Sequence, residues 1–201
     1  MIELKDVYIH CNEGSEISNL SVWVDDGCSL LVYGGNAAKR KCLTEALLGV
    51  RPVKDGYLTY DGEIFTAAAA RYLRSSIGYI PASAPEPQIS LQQMADRFVH
   101  LNAFRRFRKE LNGLTQLWQT AGITAPMTEA ACGTLTTADM QTGMLCIARW
   151  LNKKVVIIDN IVSPKTAQIL REMVTGDTVA IATAPGNSLA EYFDNNINLE
   201  K

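Results

Sequence analysis

Residues 34–42 read Gly-Gly-Asn-Ala-Ala-Lys-Arg-Lys-Cys and gather more chemistry than any other short stretch of the chain. They follow the apolar run Ser29-Leu30-Leu31-Val32 and lead into Leu43, Ala46 and Leu47 at helical spacing. A glycine-opened turn between a strand and a helix converges backbone N–H groups on one point, where they can hold an anion such as phosphate. Lys39, Arg40 and Lys41 add three cations at the helix start, which attracts anions further. A second chemical position is Asp159, a carboxylate directly after the apolar run Val155-Val156-Ile157-Ile158, with Asn160 beside it. His10 and His100 have no partners arranged for catalysis and read as structural. The five cysteines, Cys11, Cys28, Cys42, Cys132 and Cys146, are an odd number without CxxC spacing. They read as small buried residues of a reducing compartment, ahead of a zinc site or a disulfide framework.

These residues need elements to position them, and the sequence supplies a pattern. Ile2, Leu4 and Val7 begin one strand, and Leu20, Val22 and Val24 alternate in a second, half-buried one. Asp26-Gly27 turns the chain into a continuous apolar strand over 28–32, suited to the centre of a sheet. Short strands are predicted at 57–60 and 77–80, punctuated by Asp55-Gly56 and Asp61-Gly62. Three prolines within 81–87 mark a linker. From Ser90 to about Trp150 the spacing is helical, with Phe104, Phe107, Leu111, Leu114, Leu117, Trp118 and Ala121 along one stripe. The basic run at 105–109 falls on the outer side of that stripe and reads as a solvated face rather than a lipid or acidic-partner site. Strand–helix–strand then returns over 155–159, 164–174 and 178–183, with a short helix and a last strand near 197–199.

The fold class this implies is α/β, a mixed sheet with N-terminal antiparallel strands and an inserted helical subdomain, which resembles the P-loop NTPase-like folds. The core is expected over 1–82 and 152–201, and the helical subdomain over 83–151. The 201 residues suffice for one substantial domain, and 47% hydrophobic with 20% charged residues is an ordinary globular balance. A net charge of -2 gives no electrostatic ground for a nucleic-acid partner. The start MIELKDVYIH is not a signal peptide, and no run approaches the roughly 18 apolar residues of a membrane span.

The order of segments resembles the nucleotide-binding domain of ATP-binding cassette (ABC) proteins across essentially the whole chain. Ile2-Glu3-Leu4-Lys5-Asp6-Val7 is similar to that family's first strand. Gly56-Tyr57-Leu58-Thr59-Tyr60-Asp61-Gly62 resembles its G-x-I-x-x-D-G hairpin, and Ile77-Gly78-Tyr79-Ile80-Pro81 the strand before its Q-loop. Ala148-Arg149-Trp150-Leu151, running into 154–159, is similar to the A-R-A-L helix and Walker B strand. The family's working residues are largely replaced. In a loop of form G-x-x-x-x-G-K-[ST], Gly34 holds the first place, followed by Gly35 and Asn36. Lys39 takes the second glycine, Arg40 the lysine and Lys41 the magnesium-binding hydroxyl, while Cys42 stands where threonine is common. The adenine-stacking aromatic falls near Cys11, with Tyr8 close by, and the Q-loop glutamine falls on Ala82. The signature falls on Thr137-Ala138-Asp139-Met140-Gln141 and keeps only Gln141. Walker B keeps Asp159, but its glutamate is Asn160; the D-loop aspartate falls on Thr166 and the switch histidine on Ala184.

The resemblance therefore implies a degenerate cassette with no intact catalytic residue: a non-catalytic subunit or regulator of a membrane transport complex. No resident cofactor is expected, with ATP and magnesium at most weak ligands. The implied partners are a transmembrane permease subunit, a second ABC-type ATPase domain, or a second copy in a homodimer; no nucleic acid is implied. The implied place is the cytoplasm, peripheral on the inner face of the membrane through a partner. Two alternatives stand beside it: a divergent ABC ATPase that binds ATP and hydrolyses it weakly or with a partner, and an anion-binding or stand-alone interaction module. A carboxylate at Asp159 without a metal would lack a counter-charge, so Arg40 or Lys41 is expected to reach it, the alternative being that both face solvent.

Overall fold

The computed structural model describes residues 1–11, 14–101 and 111–200. Two sheets share the strands. β1 (Ile2–His10), β2 (Glu16–Val24), β4 (Asp55–Tyr60) and β5 (Glu63–Ile64) form an antiparallel sheet in the order β2-β1-β4-β5. β6 (Ile77–Ile80), β7 (Val155–Ile158), β8 (Val179–Ala184), β3 (Ser29–Tyr33) and β9 (Asn195–Asn198) form a parallel sheet in that order. The expected mixed sheet is thus divided into an antiparallel and a parallel layer. Alternation explains the first: β1 buries Ile2, Leu4, Val7 and Ile9 on one face. Strands β7 and β8 are buried at every position, as sheets covered on both faces require.

The helix α1 (Ala37–Leu47) lies between the layers and buries Cys42, Leu43, Ala46 and Leu47 with the strands of both sheets. On the other face of the parallel sheet stand α3 (Leu91–His100), α4 (Leu111–Thr120), α5 (Ala125–Glu129), α6 (Thr137–Trp150) and α7 (Pro164–Met173). Ser90 opens α3 with a reciprocal capping box to Gln93. The centre of this helical layer is α6, ten of whose residues are buried. Gly143 lets α3 approach it, since a Cβ there would run into Leu91. Trp118 of α4, 2% exposed, donates its indole N–H to the Gly143 carbonyl at 3.0 Å.

Three features depart from the sequence reading. The two-residue β5 and α2 (Ala67–Leu73) have no strong periodic signal and were not expected. Within the stretch over 90–150 read as helical, residues 132–134 form a short 3-10 turn of their own. The stripe positions Phe104 and Phe107, and the basic run beside them, lie outside the described residues. Among the described residues no helix is long and apolar enough to cross a membrane.

Trp118 fills the α4–α6 contact and satisfies a buried carbonyl. Trp118→Ala should therefore cost about 3–5 kcal/mol of stability, read as a lowered urea midpoint.

Candidate phosphate-binding site

In an open parallel sheet the ligand crevice lies outside the carboxyl ends of the strands. Here those ends carry the loop after β3, Pro81-Ala82 after β6, Asp159-Asn160 after β7 and Ala184 ending β8. Register brings Tyr33 of β3 beside Ala184, so the loop after β3 and the end of β8 are neighbours.

The loop is closed by its own groups. Gly34 and Gly35 have φ of 75° and 61°, the left-handed region that glycine enters without strain. Their carbonyls then face the side chain of Arg40, which is 8% exposed and donates from Nη1 to Gly35 O at 2.6 Å and to Gly34 O at 3.2 Å. Asn36 caps α1: its Oδ1 accepts the Lys39 N–H at 2.8 Å, and its Nδ2 donates to Ser15 Oγ at 3.1 Å. Lys41 is exposed, and Lys39 is half-buried beside a polar hollow lined by Glu16, Asn198 and Glu200.

The expected contact from Arg40 or Lys41 to Asp159 is not formed. Arg40 finds two carbonyls within its own loop, at shorter reach than a carboxylate on another strand. Asp159 is satisfied locally instead: its Oδ1 accepts the Thr183 hydroxyl at 2.9 Å, and its backbone N–H donates to Ile80 O at 2.8 Å. The same Thr183 oxygen accepts the Asn160 N–H at 2.9 Å, holding Asn160 at φ 52°. Gln141, fully buried, donates from Nε2 to the Asp159 carbonyl at 2.9 Å, which joins α6 to this turn. Thr183 carries this geometry, and sequence reading passed over it as the end of a strand.

The signature region is also closed from within. Thr136 caps α6 by accepting the Asp139 N–H at 3.1 Å and donates its hydroxyl to Asp139 Oδ2 at 2.6 Å. A carboxylate therefore already sits on the helix N-terminus, where negative charge is stabilised. Thr166 is fully buried and shares a 2.8 Å hydrogen bond with Thr142, pinning α7 to α6. Tyr8 has the Lys54 ammonium 5.2 Å from its ring centroid and bonds Glu16 through its hydroxyl.

The reading of all five cysteines as free thiols is corrected. Cys11, just past β1, and Cys42, on α1, form a disulfide with their Cα atoms 5.7 Å apart, within the ordinary range. Their separation of 31 residues carries no motif; only the packing of α1 on β1 brings them together. Cys28, Cys132 and Cys146 remain thiols.

Away from the crevice, two adjoining hollows of about 320 and 370 Å³ lie between β6 and α3–α6, sharing Tyr79, Met94, Phe98, Leu101 and Met144. At one end Lys153, 7% exposed, donates from Nζ to Ser75 O at 2.5 Å. Burial in this apolar setting lowers its pKa from 10.5 to about 8.

A glycine-bearing turn leads from β3 into a capped helix at the carboxyl edge of the parallel sheet, and the acid Asp159 follows β7, with β8 between the two strands. The comparisons are more particular. No protein-family model and no curated protein matches the sequence. Among solved structures, cbiO1 from Clostridium perfringens, part of the ABC transporter complex cbiONQ, aligns over 98% of this chain and 83% of its own, at 14% identity and TM-score 0.76. The ATP-binding subunit of an ABC transporter aligns over 98% and 85%, at 17% identity and TM-score 0.77. An ABC transporter ATP-binding protein from Pyrococcus furiosus aligns over 99% and 97%, at 14% identity and TM-score 0.75. The chain has the fold of an ATP-binding cassette from end to end.

Two measurements check this description. Thr183→Val would strip a partner from both the Asp159 carboxylate and the buried Asn160 N–H, so it should cost about 1–3 kcal/mol in chemical unfolding. For Lys153, the folded pKa lies below the unfolded one, so the charged form is the disfavoured one in the fold. Below about pH 8 the amine is charged in both states and the penalty is complete; stability should climb as pH rises from about 8 toward 10.5. Lys153→Met should lack that climb when urea midpoints of the two proteins are compared across the same range.

Proposed function

We propose that this chain is a non-catalytic ABC-type subunit, a structural or regulatory component of a membrane transport complex. One observation carries the reading: both helix N-termini that would face phosphate are capped from inside, α1 by Asn36 with Arg40 filling the loop, and α6 by Thr136 with Asp139. An incoming phosphate at the first must displace a buried guanidinium from two carbonyls. At the second it meets a carboxylate of like charge, which repels it.

The chemistry of the surrounding side chains argues the same way. Asn160 is an amide where a general base would stand, and losing such a base costs about 10²–10⁴ in rate. Ala82 and Ala184 bring no polar atom beyond the backbone, and Lys41 offers an ammonium where magnesium needs a hydroxyl. Asp159 is the one acid retained, and it is held by Thr183. Losing aromatic stacking removes roughly 1–3 kcal/mol of nucleotide affinity. Losing metal-bridged contacts as well brings ATP toward about 1 mM.

The partners we propose are a transmembrane permease subunit, a second ATPase-type subunit, or both, with the chain held at the cytoplasmic face of the membrane through them. The support is the fold, the description of cbiO1 as part of a transporter complex, and the apolar hollow beside β6 and α3, where Leu101 is 52% and Tyr79 39% exposed.

Calorimetry with ATP and magnesium, paired with a phosphate-release assay, tests the proposal. No saturable binding tighter than about 1 mM and no release above background are expected, and Asn160→Glu should not create turnover. A micromolar site, or measurable hydrolysis by the unmodified chain, would overturn the reading.

A further inference from the structure

We propose that the Cys11–Cys42 pair is a reversible thiol–disulfide clasp that sets the rigidity of the loop over 34–42. The two residues belong to different elements, the end of β1 and the second turn of α1, and their Cα atoms stand 5.7 Å apart. Cys42 is two residues beyond Arg40, whose guanidinium holds the carbonyls of Gly34 and Gly35. The covalent bond therefore fixes the backbone from which Arg40 reaches into the loop.

The remaining ties of α1 to this side are distributed unevenly. At the far end of the helix, Arg51 pairs with Glu45 at 2.7 Å and donates to His10 O at 2.9 Å, so that end stays docked without the disulfide. Near the loop, Asn36 gives a single hydrogen bond to Ser15. Breaking the sulfur–sulfur bond thus releases the loop end of α1 and leaves its far end anchored. The effect is local by construction.

The pair is distinct from the other cysteines. Cys28, Cys132 and Cys146 are free thiols whose pKa burial raises, the last to about 11. Closure proceeds by exchange with a low-molecular-weight disulfide of the glutathione class. One protein thiolate attacks a sulfur of that disulfide and expels one small thiolate, giving a mixed disulfide. The second protein thiolate then displaces the other small thiolate. The protein loses two electrons and two protons, and the small disulfide is reduced to two thiols. Cys11 and Cys42 are 0% and 1% exposed, so exchange requires local opening and the clasp changes state slowly. The inference stands apart from the question of ATP turnover, because it concerns only the covalent state of the chain.

The test equilibrates the native protein with oxidised or with reduced glutathione, then alkylates under denaturing conditions and maps peptides by mass. In the oxidised sample three thiols should be alkylated and residues 11 and 42 should be recovered in one linked peptide; in the reduced sample five should be alkylated. Hydrogen–deuterium exchange on the same two samples should show amides near 36–44 exchanging at least about tenfold faster when reduced, with 45–51 little changed. Cys42→Ser and Cys11→Ala should each behave as the reduced form in either buffer. Five alkylated thiols after oxidation would overturn the proposal, and so would equal exchange rates in the two states.

Discussion

Arg40 is the side chain on which the geometry of this site depends. A loop that points carbonyls inward must give them a donor, because an unpartnered buried carbonyl costs about as much as a lost hydrogen bond. The guanidinium reaches Gly34 and Gly35 at once, its Nη1 donating to both carbonyls. Everything that follows is arranged around that choice. Asn36 takes the helix cap, Lys39 lies half-buried beside a polar hollow, Lys41 is exposed, and Asp159 is left to find a neutral partner. A cation placed inside the loop thus decides how its neighbours are satisfied.

Thr183 supplies the complementary arrangement on the next strand. One hydroxyl donates to a carboxylate and accepts from a backbone N–H, so a single small side chain settles the turn after β7. Gln141 adds the link to α6 through the Asp159 carbonyl. The start of α6 is therefore tied to the turn after β7.

The fold was legible because its signals are local and redundant. The apolar runs before Gly34 and before Asp159 announce central strands, and Asp-Gly pairs punctuate the hairpins. The segment order then fixes the architecture. The contacts around Asp159 were not legible. The resemblance named Gly34, Asp159, Gln141 and Asn160, but a charge argument favoured a cation as the partner of Asp159 over the Thr183 hydroxyl that it bonds. The disulfide was illegible for a related reason: 31 intervening residues hide a pairing that only helix-on-sheet packing creates. β5 and α2 escaped notice because a two-residue strand and an alanine run leave no periodicity to read.

The position of β3 in its sheet bears on how the molecule is made. This strand, at Ser29–Tyr33, has as its hydrogen-bonded neighbours β8 and β9, which lie far along the sequence at Val179–Ala184 and Asn195–Asn198. During synthesis the glycine turn and its arginine must wait, with one sheet edge open on each side, until those distant strands have emerged. Pairings of such long sequence separation form slowly, and unpaired strand edges invite association in the interval. The antiparallel layer can close long before, so the ribosome delivers a finished hairpin sheet carrying an unfinished loop.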